Sequence, residues 1–252
     1  FSHTGDDSVY FNRRGVYPGQ GAYQGEESKY YSWYDFREFP DDYRCWWGFK
    51  SLPEVNESDP GWQSFVLTGE NSVVRTWLRN GASGYRLDVA DELQDKTLEA
   101  LRRSVKGEKP DSLIIGEVWE DATTKISYGE RRRYALGSAL DSVMNYPLRR
   151  ALIDFALGRT DAPELCRFLI SQKLNYPEPM YHCLMNLLST HDTARIHTVL
   201  GLGGEGDELS REQQAEVSLD DEQSKRGRRL QMLCAAVQFA LPGMPCVYYG
   251  DE

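Results

Sequence analysis

Beyond position 71 the apolar residues fall into an alternation of short strand-like runs and longer helix-like runs. Positions 72–79 have the spacing of a helix end closed by Asn80-Gly81. Positions 82–89 then alternate, which puts Arg86 and Asp88 on one face of a strand and Leu87 and Val89 on the other. Helical spacing resumes over 93–105. Positions 113–118 read as a buried strand running into charge at Glu117, and 139–146 and 184–189 repeat the theme after further helices. A last helix is predicted over 228–241 and a last strand over 246–249. About five strand-and-helix units in succession predict a parallel sheet with helical crossovers.

Residues 1–62 break this pattern. Pro18-Gly19, Gly21 and Gly25 mark turns, no period persists, and the aromatics of Tyr30-Tyr31-Ser32-Trp33-Tyr34 and Cys45-Trp46-Trp47-Gly48-Phe49 are numerous enough to pack an irregular subdomain of their own. Core packing is the plain role for most of these rings, and stacking on sugars is the alternative. The division expected is therefore an irregular subdomain over 1–62 and a strand-and-helix domain over 63–252. The acidic, Gly-rich positions 201–225 read as a surface loop or exposed helix, and Arg131-Arg132-Arg133 as a solvated helix face.

Composition narrows the function classes. The chain has 252 residues, about the length of one barrel domain, with 40% hydrophobic and 27% charged residues, which excludes a disordered or collagen-like protein. A formal charge of -10 argues against a nucleic-acid partner and for a neutral substrate. No apolar run suits a bilayer, since the best candidate, 230–249, is interrupted by Gln238, Pro242, Gly243 and Pro245. Cys45, Cys166, Cys183, Cys234 and Cys246 have no metal-site spacing and predict a reducing compartment, the cytoplasm.

Each predicted strand ends in polar residues: Arg86 and Asp88, Glu117, Asn145 and Tyr146, His191 and Asp192, and Asp251 and Glu252. In parallel α/β barrels the active site is assembled at the C-terminal strand ends, so carboxylates far apart in sequence can converge on one pocket. Glycoside hydrolysis needs such a set. Taken singly, Asp192 also suits a helix N-cap, Asp88 a structural ion pair with Arg86, and Glu117 a solvated strand end.

The segments Gly84-Tyr85-Arg86-Leu87-Asp88-Val89-Ala90, Gly116-Glu117-Val118-Trp119 and Leu188-Ser189-Thr190-His191-Asp192 resemble, in that order, three signature regions of the α-amylase family of glycoside hydrolases. Phe1-Ser2-His3 is similar to the tail of the family's first signature, and Leu52-Pro53-Glu54-Val55-Asn56 to a short motif near the end of the domain inserted after the third barrel strand. Pro242-Gly243-Met244-Pro245 and Tyr248-Tyr249-Gly250-Asp251-Glu252 resemble the eighth strand. Within the family, the inserted segment and Val89-Ala90-Asp91-Glu92 look most like neopullulanases, cyclomaltodextrinases and maltogenic amylases, although the LPEVN letters depart from that group's common MPKLN form.

The resemblance implies an α/β fold: a (β/α)8 TIM-type barrel, incomplete, from the end of strand 3 through strand 8, with the irregular subdomain inserted after strand 3. The missing strands would lie upstream, and the chain alone is expected to be poorly stable and inactive. By resemblance, Asp88 is the nucleophile, Glu117 the acid and base that carries its proton near neutral pH, and Asp192 the carboxylate that grips ring hydroxyls in the transition state. Arg86 would orient Asp88, His191 and His3 would hydrogen-bond the same glucose unit, and Trp119 would stack on the acceptor side. His182 and His197 are expected to be surface or packing residues. The implied partner is an α-glucan oligosaccharide or polysaccharide, cleaved at α-1,4 bonds, with α-1,6 bonds left open as a further target. The chemistry needs no cofactor. A structural calcium is an expectation without assigned ligands, the candidates being Asp6, Asp7, Asp41 and Asp42. The competing readings are a transglycosylase or isomerase of the same family, and a non-catalytic glucan-binding or protein-interaction relative.

Overall fold

The structure is a computed structural model that describes residues 2–252, so Phe1 of the first signature lies outside the described residues. The chain forms two compact units, one ending at Ile114 and the other beginning at Ile115.

The first unit opens with the irregular segment, whose regular structure is one small antiparallel pair, β1 (Phe36–Glu38) with β2 (Asp42–Tyr43), and three short 3-10 turns. Its centre is aromatic. Phe11 is fully buried, with the rings of Tyr34 and Tyr43 at 4.9 and 4.8 Å between centroids. The Leu52-Pro53-Glu54-Val55-Asn56 motif lies across this segment: Thr4 N donates to Pro53 O at 3.0 Å, Val55 N to Ser2 O at 2.9 Å and Asn56 N to Trp33 O at 2.7 Å. A short motif without regular structure thus serves as the tie that holds His3 in place.

The chain then becomes regular through α1 (Pro60–Gln63), a π-turn over Ser64–Thr68, α2 (Val73–Arg79), β3 (Gly84–Leu87), α3 (Asp95–Glu108) and the start of β4 (Leu113–Gly116). Ser72 caps α2 by accepting from Arg75 N, and Gly81, at a φ of +104°, takes the left-handed turn beyond its end. On α3 the buried positions Leu98, Leu101 and Val105 recur at helical spacing. Gly84 is required by close approach, because a Cβ there would lie 2.0 Å from Leu113 O.

In the second unit the remainder of β4 pairs in parallel with β7 (Ser142–Val143), through Ile115 opposite Ser142 and Gly116 opposite Val143. Between them stands a small hairpin of β5 (Ile126–Ser127) and β6 (Glu130–Arg131). Helices α4 (Tyr146–Ala156), α5 (Ala162–Asn175) and α6 (Glu178–Tyr181) lead to β8 (Met185–Leu187), and Met144 bridges Met185 in parallel. After α7 (Ile196–Gly201), α8 (Arg211–Glu216) and α9 (Asp221–Ala240), β9 (Met244–Cys246) pairs in parallel with β8. Strands β4, β7, β8 and β9 are therefore neighbours in chain order, β4 and β7 joined through the hairpin and the others by helical crossovers. That order requires apolar cover on the helices: Leu148, Leu152, Leu165, Leu188, Ile196, Val199, Leu200 and Cys234 form one buried cluster, and Met144, Tyr146 and Leu187 a second one against the strands.

Several elements differ from the pattern-based expectation. The last strand is Met244–Cys246 and not 246–249, because Gly243 at φ +122° passes close to Leu184 and lets Met244 N bond Leu184 O at 2.8 Å; Pro245 disguises the strand in the sequence. Helix α9 begins at Asp221 and not at 228, reaching into the segment expected as a surface loop or exposed helix, because Asp220 and Gln223 form a capping box. Arg131-Arg132-Arg133 is not a helix face: Arg131 lies in β6, and the Arg132 guanidinium sits over the Tyr134 ring at 4.8 Å. Asp192 is not an N-cap, since α7 starts only after Arg195. Among the described residues no helix is long and apolar enough to cross a membrane.

Candidate active site

In the first unit β3 ends at Leu87, so Asp88 is the first residue past the strand and Val89 turns the chain sharply into a 3-10 turn at Ala90–Glu92. Val89 does this at φ +43°, a left-handed conformation that is costly for a β-branched residue and that persists only where the surroundings over-determine it. Asp88 is ion-paired with Arg86 Nη1, and its side chain is 64% exposed. His3 stacks on Trp46 at 5.1 Å, and Trp46 stacks on Trp47 at 4.4 Å. Trp47 Nε1 donates to Glu92 Oε1 at 3.3 Å, although the Trp47 ring is largely exposed. Burial lowers the His3 pKa, while the charges of Asp88 and Glu92 pull it upward, which places all three groups in one electrostatic neighbourhood.

In the second unit Glu117 is likewise the first residue past its strand, β4, but it is only 7% exposed. Trp119 Nε1 donates to Glu117 Oε1 at 3.1 Å, and the Trp119 ring lies flat on Tyr146 at 3.9 Å with 8° between the planes. Beyond β8 the chain makes an irregular turn carrying His191 and Asp192, whose side chains meet at 3.1 Å. The turn is shaped from within: Asp192 N donates to Thr190 Oγ1 at 3.2 Å, and Thr190 N to Thr193 Oγ1 at 2.9 Å. Trp119, His191 and Asp192 line one cavity of about 700 Å³, together with Arg149, Asp154, Arg159 and Asp207. A second cavity of about 390 Å³ runs along α4 and α5 and shares Trp119, Arg150 and Asp154 with the first.

The seven expected site residues thus fall into two described sets. His3, Arg86 and Asp88 belong to the first unit; Glu117, Trp119, His191 and Asp192 belong to the second. His182 is exposed, and His197 is partly buried with Nε2 at 3.0 Å from Ser224 O, so one is a surface residue and the other a packing residue, within the expectation for the two.

The sequence did not point to Arg149 and Asp207. Arg149 follows an ordinary helix start, where Asn145 caps α4 by accepting from Leu148 N, and Asp207 sits in the Gly-rich segment read as loop. Nothing in either neighbourhood marks the other. Asp251, noted only as a strand-end carboxylate, accepts from Ser189 Oγ at 2.7 Å, and burial raises its pKa.

Three of the four candidate carboxylates for the expected calcium face other partners. Asp6 faces Arg13 at 3.4 Å, Asp41 accepts from Tyr23 OH at 2.6 Å and Asp42 lies 4.0 Å from Arg37; among the described residues no group of three or more His, Cys, Asp or Glu is placed to hold a metal. The five cysteines are free thiols, and burial pushes Cys234 up to about 11, which leaves it unreactive at neutral pH.

The family description "Alpha amylase, catalytic domain" matches residues 2–252. The chain is 35% identical over 281 residues to an amylopullulanase of Thermoanaerobacterium thermosulfurigenes, covering 100% of this chain and 14% of that protein. It is 31% identical over 260 residues to neopullulanase 2 of Thermoactinomyces vulgaris, covering 100% of this chain and 37% of that one. Among solved structures, the cyclic α-maltosyl-(1→6)-maltose hydrolase of Arthrobacter globiformis in complex with maltose superposes with a TM-score of 0.77 at 26% identity, over 100% of this chain and 49% of the other. Ttha1563 of Thermus thermophilus gives 0.76 at 29% identity over 100% and 49%. The chain therefore spans about half the length of these solved chains and a smaller share of the curated relatives.

Proposed function

The chain belongs to the α-amylase family of glycoside hydrolases, a family of enzymes, and we propose that it carries the central chemistry of a retaining α-glucosidic hydrolase acting on maltodextrins, cyclomaltodextrins, starch or pullulan. The observation that supports this reading most directly is positional. Asp88 and Glu117 each occupy the first residue beyond a strand, β3 and β4, and His191 and Asp192 follow β8, which is where parallel barrels place catalytic groups. On this reading β3, β4, β7, β8 and β9 are barrel strands 4 to 8, and the segment before α1 is the insertion that follows strand 3.

The chemistry follows from the surroundings. The Asp88 carboxylate attacks the anomeric carbon as Glu117 gives its proton to the departing glycosidic oxygen, so the C–O bond to the leaving sugar breaks and an ester to Asp88 forms. Glu117 then takes a proton from water as that water attacks the anomeric carbon, and Asp88 leaves as carboxylate with the configuration retained. Arg86, paired with Asp88, holds the nucleophile's carboxylate in place. Trp119, bonded to Glu117 and open to the 700 Å³ cavity, offers a flat face to the sugar on the acceptor side. Asp192 and His191 bind ring hydroxyls more tightly as the sugar flattens.

The test is Glu117→Gln in the full-length protein, assayed on maltoheptaose and pullulan. The amide keeps the Trp119 hydrogen bond and cannot transfer the proton, so kcat should fall by about 10²–10⁴-fold with the melting temperature preserved. Hydrolysis persisting near the wild-type rate would remove Glu117 from the mechanism.

A further inference from the structure

The turn that carries His191 and Asp192 has no regular backbone ladder of its own, so something outside it must fix its position. Ser189 Oγ, bonded to Asp251, supplies one anchor, and a buried guanidinium supplies the grip at both ends. Arg149, on α4, is 7% exposed; its Nε donates to Leu188 O at 2.7 Å and its Nη2 to Ala194 O at 3.4 Å, one carbonyl at each end of the turn. The same guanidinium is held bidentately by Asp207, with Nη1 to Oδ2 at 2.7 Å and Nη2 to Oδ1 at 3.0 Å. Asp207 Oδ1 also accepts from Ala194 N at 3.1 Å. The two ends of the turn are therefore tied to a helix before β8 and to a 3-10 turn, Glu205–Glu208, that follows α7.

We propose that Arg149 and Asp207 are positioning residues: the ion pair clamps the 188–194 turn and thereby sets the Asp192 carboxylate and the His191 ring against the sugar. The inference rests on the role given above to Asp192. Three features carry it. The bidentate geometry fixes orientation as well as distance, which a lysine or a single bond would not. The guanidinium is buried and its partner carboxylate neutralises it, so loss of Asp207 leaves a cation that must move or draw in water, taking Leu188 and Ala194 with it. Finally, Arg149, Asp207, His191 and Asp192 all line the 700 Å³ cavity, so a shift of the clamp is a shift of its wall. The Gly-rich segment around residue 207 thus acquires a purpose that its surface-loop composition hides.

The clamp is tested in the full-length enzyme with four variants, Asp207→Asn, Arg149→Lys, the double variant Arg149→Met/Asp207→Leu, and Asp192→Asn, using maltoheptaose hydrolysis and amide hydrogen exchange. A displacement of order 1 Å at reacting groups costs about 10²-fold, so Asp207→Asn and Arg149→Lys should lower kcat by about 10–100-fold while KM changes by less than about threefold. Exchange at the Asp192 and Ala194 amides should quicken by at least about tenfold while that at Leu187, inside β8, stays slow. The double variant removes both charges, so it should recover melting temperature over the single variants but not kcat; a merely structural pair would recover both. Normal kcat in both single variants, a rise in KM alone, unchanged exchange at Asp192 and Ala194, or recovery of kcat in the double variant would each overturn the clamp. Asp192→Asn separates this from the broader reading: if it keeps wild-type kcat the role of Asp192 fails, whereas an inactive Asp192→Asn beside an unaffected Asp207→Asn fails the clamp alone. Should the wild-type protein hydrolyse no glucan, the exchange measurement still decides whether the pair holds the turn.

Discussion

Phe11 in the first unit and Leu200 in the second are both fully buried, yet their neighbours differ in kind. Phe11 is enclosed by tyrosine rings at edge and tilted angles, in a segment of turns and bridges with little regular backbone pairing. Leu200 belongs to an aliphatic cluster built from helices that cover a parallel strand run. Rings are stiff, bring large area and have preferred angles, so a few can organise a segment that lacks hydrogen-bonded ladders; aliphatic side chains fill whatever the ladders leave. The candidate carboxylates repeat the contrast. Asp88 is exposed and ion-paired beside a strained turn, while Glu117 is buried behind an indole. The two carboxylates proposed to share one reaction thus stand in different surroundings, one open to solvent beside a guanidinium and one enclosed.

The largest effect expected from this contrast is catalytic. Asp88→Asn should lower kcat by at least about 10³-fold, because a neutral amide cannot replace the attacking carboxylate, with little change in melting temperature since the side chain is exposed; a large drop in stability instead would make the Arg86 pair structural. Next comes the aromatic core. Phe11→Ala should cost about 3–5 kcal/mol and Leu200→Ala about 2–5 kcal/mol by denaturant titration, and a first unit that tolerated Phe11→Ala with less loss than Leu200→Ala would break the contrast. Gly84→Ala should cost about 1–3 kcal/mol, because the new methyl meets Leu113 O and the backbone is at φ +152°. The smallest effect is a pH slope. Burial raises the pKa of Glu57, so just above the usual carboxylate range the folded state keeps a proton that the unfolded state has lost, and stability falls as pH rises through that window. Glu57→Gln, whose amide oxygen can still accept from Gln94 N, should flatten that slope in urea midpoints taken from about pH 4 to about pH 7.

The approximate places of the strands were legible because they needed only local information, although each ends earlier than its pattern. An apolar run that gives way to charge at Gly116-Glu117 shows in consecutive letters, whereas the alternation over 82–89 runs on past Leu87, where β3 ends and Val89 turns left-handed. Less legible were elements whose cause lies elsewhere in the chain. Met244–Cys246 is a strand because Leu184 offers it a carbonyl, and Arg132 is buried because Tyr134 offers its face. The LPEVN segment reads as a loop, and only the bridges to His3, Tyr34 and Cys45 show it as a tie.

By itself the sequence determined the alternation of strands and helices, the aromatic character of the opening segment, and that Asp88 and Glu117 lie where strands give way to charge, because periodicity is a property of neighbouring residues. Only the tertiary structure decided that Arg149 and Asp207, far apart along the chain, share a bidentate contact, and that Glu117 is enclosed while Asp88 is open. Burial and charge pairing are set by what the rest of the chain brings to a side chain, and no local pattern encodes that.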